Sequence, residues 1–164
     1  LDPFDTSEPR AVAGIVPAWA RTRSRAESRR CVSNLKQIGL GVVLYSQRNG
    51  ERMPPWGNPI FFESLRNGFL EDRSVYRCPE GTPPEAEALG IEVEDYRTWT
   101  GGPGLSSGQI AKFGSRIPIA WDRSASWHDG SRHVLFADGH IEEIPQPAFQ
   151  ELLAGWQKEL GLER

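Results

Sequence analysis

Two short β-prone runs, Val134-Leu135-Phe136 and His140-Ile141-Glu142, flank Asp138-Gly139, and this is the tightest local constraint in the chain. An Asp-Gly pair in that setting predicts a two-residue type I′ hairpin, because the turn demands left-handed backbone that Gly adopts freely and Asp tolerates. The register that follows sets His140 opposite Ala137. A chain of 164 residues has room for one domain with a real core around such a hairpin. Its 17 glycines and 13 prolines, with a hydrophobic share of 38%, describe a loop-rich globular protein, neither a helical bundle nor a disordered tail.

Ahead of the hairpin, Cys31, Leu35, Ile38, Val42 and Tyr45 recur at spacings of three and four, which predicts an amphipathic helix from Ala18 to about Gln47. At about 1.5 Å per residue it spans about 45 Å. Leu35, Ile38 and Val42 are expected to face the head, and the polar, arginine-rich first half to protrude. Asn49-Gly50 and Pro54-Pro55 end the helix. Asn58-Pro59 reads as an N-cap with proline at the first helical position, opening a short helix through Ile60, Phe61, Phe62 and Leu65 that Gly68 closes. Residues 79–108 concentrate proline and glycine and are expected to be irregular, with a strand within Tyr96 to Thr100. Ile117 to Trp121 is a further predicted strand. Pro147 starts a last helix with Phe149, Leu152, Leu153, Trp156 and Leu160 at helical spacing. A long helix, a loop-rich middle and a small antiparallel sheet make an α+β fold: a tail at 1–17, a helix at 18–48 and a head at 49–164.

The net charge of −3 is unevenly placed. Arg10 to Lys36 carries seven basic residues against Glu27, a local +6 that leaves −9 for the rest. Such a run reads as a solvated helical face, a patch beside anionic lipid or a nucleic-acid footprint. No aromatic platform is interleaved with the arginines, so no nucleic-acid partner is expected. The longest apolar run, Ala11 to Ala20, is broken by Gly14 and Pro17 and falls short of the about 20 residues of a spanning helix.

Two blocks carry a family resemblance. His128, nine residues and then Asp138-Gly139 form one; Cys31 to Tyr45, CVSNLKQIGLGVVLY, followed by Ser46 to Pro54, forms the other. Together they resemble the pilin-like proteins made with a cleavable, methylated prepilin-type N-terminal signal, and Val16-Pro17-Ala18 resembles the point where their membrane helix emerges. The likeness covers roughly residues 12 to 145; Leu1 to Arg10 has no counterpart. It implies a pilin-like fold and a structural, non-enzymatic subunit, a pseudopilin or minor pilin of a type II secretion or type IV pilus-like filament. It also implies an inner-membrane anchor in a segment upstream of Leu1, a periplasmic or extracellular head, and other pilin-like subunits as partners through the N-terminal helix.

Cys31 and Cys78, with no CxxC in a loop-rich chain, predict one disulfide in an oxidising compartment if the helix and the Cys78 segment are neighbours; the alternative is two separate buried thiols. His128, His133 and His140 raise zinc. In the predicted hairpin His133 and His140 are about 13 Å apart, too far for one ion, and His128 is expected to serve structurally. Calcium is the better metal candidate, through Asp122 and Asp129 with Ser124 and Ser126, since some pseudopilins hold calcium in the head. No Gly-x-Ser-x-Gly elbow is present, and Gly102-Pro103-Gly104 lacks the spacing of a phosphate loop, so no enzyme activity is expected. The competing function is an extracytoplasmic glycan- or peptide-binding module using Trp99, Trp121 and Trp127 as exposed loop aromatics.

Overall fold

A computed structural model of the protein describes residues 18–81 and 94–161; the predicted tail at 1–17 and the middle of the loop zone lie outside them. The long helix α1 spans Ala18–Arg48. It ends where Gly50 and Glu51 take positive φ of 66° and 57°, and the Asn49 side-chain amide donates to the Tyr45 carbonyl. Cys31, Leu35, Ile38, Gly41 and Val42 are its buried residues, so one stripe of its distal half meets the head. Arg21 to Ala26 are exposed, and Trp19 keeps 71% of its surface. No described helix is long and apolar enough to cross a membrane.

Helix α2, Ile60–Arg66, buries Phe61, Phe62 and Leu65 against α1. Asn58 does not cap it. Its amide instead donates to Glu94 and the Tyr96 carbonyl and accepts from the Thr98 amide, tying the loop before α2 to the sheet edge. A 3₁₀ turn at Arg73–Tyr76 packs on α1 and leads to Cys78.

The sheet formed by the described residues has four antiparallel strands in sequential order: β1 Tyr96–Arg97, β2 Pro118–Asp122, β3 Ser131–Phe136 and β4 Ile141–Pro145. Strand β2 is buried along its whole length, and α1 crosses β3 closely enough that a Cβ on Gly39 would lie 3.3 Å from Leu135. Helix α3, Ser107–Phe113, begins within the zone expected to be irregular. A reciprocal capping box starts it, with the Ser106 hydroxyl accepting from the Gln109 amide and Gln109 Oε1 accepting from the Ser106 amide. Helix α4, Gln146–Glu159, lays Phe149 against Trp121, ring centroids 5.6 Å apart.

The turn between β3 and β4 departs from the expected type I′. Phe136, not Ala137, stands opposite His140, its amide bonded to the His140 carbonyl, while the Gly139 amide returns to the Phe136 carbonyl. Only Gly139 has positive φ, at 92°; Asp138 does not. This is a three-residue loop closed by a glycine in left-handed conformation. Asp138 contributes through its carboxylate, which accepts from the amide and Nδ1 of His140. The I′ signature belongs to the other Asp-Gly pair. Asp129 and Gly130, with φ of 51° and 87°, link His128 to Ser131.

Candidate functional site

Strand β2 ends at Asp122, whose side chain points inward and is fully buried, and β3, starting nearby at Ser131, carries His133 beneath α1. The Asp129-Gly130 turn folds His128 back over the same point. Opposite them, the segment after the 3₁₀ turn delivers Cys78 to Cys31 on α1. The two cysteines are disulfide-bonded with Cα atoms 5.3 Å apart. Asp95 holds that segment, since its buried carboxylate accepts from the Cys78 amide at 3.0 Å and its other oxygen faces Arg123 at 3.3 Å. Residues from four separate parts of the chain therefore meet in one buried polar cluster.

Asp122 Oδ2 accepts from the His133 amide at 2.7 Å and His133 Nδ1 at 3.0 Å, and stands 3.2 Å from His128 Nε2. Asp122 Oδ1 is buried with no hydrogen-bond partner among the described residues. The far nitrogen of His133 is hydrogen-bonded to Ser28 Oγ on α1 at 3.1 Å, and its Nδ1 donates to Asp122. The two imidazoles lie edge to face, centroids 4.3 Å apart. His128 Nε2 also faces Cys78 Sγ at 3.5 Å, and its Nδ1 looks toward Glu80 Oε1 at 3.4 Å.

Burial opposes ionisation of Asp122, yet hydrogen bonds from His128 and His133 outweigh it and hold the carboxyl below the usual carboxylate range. Burial likewise disfavours a charged His128, but its bond to Asp122 and the charges of Asp122 and Glu80 raise its pKa above the ordinary histidine value. Glu80 is pushed up, first by burial, with His128 working against that. Arg132, on β3, donates from Nη1 to the Asp122 carbonyl and brings a positive charge to the rim.

The structure does not assemble the expected calcium ligands. Asp122 turns inward to the histidines, whereas Asp129 sits exposed in its turn; the group of ligand atoms within 4.8 Å of one another contains Asp122 with Cys31, Cys78 and His128, not Asp129. Ser124 and Ser126 bond each other at 2.7 Å. His140 stands apart, stacked on Phe136 at 4.4 Å and bonded to Asp138 and Glu142. The motif residues thus separate: His128 belongs to the buried cluster, while Asp138 and Gly139 build the distal turn. Two of the three tryptophans expected on exposed loops are in the core. Trp99 and Trp121 are 3% and 6% exposed, packed edge to face, with Trp99 Nε1 donating to the Pro118 carbonyl.

Asp95, Glu80 and Ser28 were not singled out as site residues by sequence reasoning, and His133 was considered only as a zinc ligand and set aside. Their partners are distant in the chain, Ser28 and His133 by 105 positions, and no local spacing encodes such a meeting. What the cluster does in the oxidised chain is cross-link: a disulfide and a carboxylate–imidazole network fasten α1 to strands β2 and β3. In comparison with known proteins, no family model, no curated protein and no solved structure matches the chain.

Proposed function

We propose that the protein is a structural subunit of a pilin-like filament, a pseudopilin or minor pilin of a type II secretion or type IV pilus-like assembly. On this reading it resides in the cell envelope, anchored in the inner membrane, with its head in the periplasm or outside the cell. The observation that carries the reading is the division of α1. Its distal half buries Leu35, Ile38 and Val42 in the head, while Arg21 to Ala26 and Trp19 stay exposed. Leu40, Val43 and Leu44 add an apolar row on the side facing away from the sheet, 60%, 51% and 40% exposed. A helix that its own head covers on one stripe alone suits packing against like helices. The two residue blocks that resemble pilin-like proteins supply the remaining support. Of the three tryptophans on which a glycan- or peptide-binding reading would rest, Trp99 and Trp121 are buried and Trp127 is half-buried.

The test places a photo-cross-linking amino acid at Trp19, Leu40 or Val43 of the full-length chain in its native envelope, with exposed Gln109 on α3 as the head control. Copies of the chain or other helix-bearing envelope subunits captured from the α1 positions and not from position 109 are expected. Uncross-linked monomer from every α1 position overturns the reading.

A further inference from the structure

The buried cluster holds four ligands of a kind that the disulfide conceals. We propose that the reduced chain binds one zinc ion through Cys31, Cys78, His128 and Asp122, so that the same four residues clasp α1 to the head with either a disulfide or a metal.

Two of the ligand separations already match a tetrahedral site, and the two sulfurs, joined in the oxidised chain, would part to about 3.8 Å around an ion once reduced. The four ligand atoms lie within 4.8 Å of one another and all four residues are buried. With zinc–sulfur bonds of about 2.3 Å and zinc–nitrogen or –oxygen bonds of about 2.0–2.1 Å, a tetrahedron requires sulfur-to-nitrogen separations of about 3.6 Å and nitrogen-to-oxygen separations of about 3.3 Å. Cys78 Sγ to His128 Nε2 is 3.5 Å, and His128 Nε2 to Asp122 Oδ2 is 3.2 Å. Two thiolates, an imidazole and a carboxylate suit zinc and not calcium, which takes six to eight oxygens.

The surroundings match as well. A zinc-bound imidazole ordinarily turns its other nitrogen toward a carboxylate or carbonyl. His128 turns Nδ1 toward Glu80 Oε1, 3.4 Å away, and both atoms are buried without a hydrogen-bond partner among the described residues. Asp122 Oδ1 is a third buried atom without one, while Oδ2 is oriented by His133. Two thiolates and one carboxylate against Zn²⁺ leave a charge of −1 beside the Arg132 guanidinium. A surface cleft of about 300 Å³, lined in part by Ser28, Arg29, His128 and Glu143, reaches the histidine of the cluster.

The redox step balances with a dithiol reductant. Its two thiols become a disulfide as the Cys31–Cys78 bond takes up two electrons and two protons to give two thiols, and zinc then displaces both protons. The test reduces the folded chain with dithiothreitol, removes the reductant under nitrogen and titrates with Co²⁺, then Zn²⁺. The expected result is one equivalent of cobalt with sulfur-to-cobalt charge transfer and tetrahedral visible bands, displaced by zinc and absent from the oxidised chain. Glu80→Gln, which keeps all four ligands, should weaken zinc binding by about 10–100-fold, and His128→Gln should weaken it more. A folded, reduced chain without the charge-transfer band overturns the proposal, as does a band that His128→Gln leaves unchanged. Should that variant not fold, nitrogen NMR of the wild-type histidines decides: zinc should move the His128 resonances and leave those of His140, and unmoved His128 resonances overturn the proposal.

Discussion

Gly139 is the hairpin position least able to accept a side chain, because its φ of 92° lies in the left-handed region. Gly139→Ala should cost about 1–2 kcal/mol in urea unfolding. Beside it, partial burial disfavours a charged His140, but hydrogen bonds to Asp138 and Glu142 outweigh this and raise its pKa. Asp138, also opposed by burial, is held low chiefly by its bond to His140. A raised histidine stabilises fully below about pH 6.5 and loses that contribution as pH rises through its folded value; a depressed aspartate loses its own as pH falls through its folded value. The turn should therefore be firmest between about pH 4 and 6.5, by a small margin because both groups face solvent. In an NMR titration His140 should show a midpoint above that of a free histidine, and Asp138→Asn should bring it part of the way back, Glu142 holding the rest. The chain has two Asp-Gly pairs, at 129–130 and 138–139, and local sequence announces a turn at each without saying which is type I′. That choice depends on what the neighbouring side chains bond, and Asp138 bonds His140.

Helix α1 was legible because its three-and-four spacing records a one-sided burial, and Leu35 and Ile38 are both fully buried in the fold. Leu35→Ala or Ile38→Ala should cost about 2–5 kcal/mol in chemical denaturation. Leu40→Ala and Val43→Ala, on the exposed side, should fall within about 0.5 kcal/mol of the parent. Helix α2 shows where element reading stops. Asn58-Pro59 has the composition of a cap, yet the Asn58 amide finds Glu94, Tyr96 and Thr98 instead, partners that only the folded sheet supplies. Helix α3 was legible in principle. Ser106 and Gln109 stand at capping-box spacing, but the glycine and proline around them dominate the local composition and conceal a single seven-residue helix.

At the scale of the whole molecule, the fold follows from the order of its periodic segments, while the cluster does not. Cys31, Cys78, Asp122, His128 and His133 come together only because α1 crosses β3 and the Asp129-Gly130 turn folds His128 over the end of β2. Cys31–Cys78 closes a 47-residue separation, for which chain entropy gives about 4 kcal/mol. Reduction in the presence of a chelator should lower unfolding stability by up to that amount, read from the denaturant midpoint. Cys31 also marks where the exposed stretch of α1 passes into its buried stretch. A pull on the protruding end consequently reaches the Ser28–His133 hydrogen bond and then a covalent bond, before any of the aliphatic contacts beyond it. Tension is handed to the β1 edge of the sheet through Cys78 and Asp95, and the dispersion-bound contacts of Leu35, Ile38 and Val42 are spared from peeling one by one.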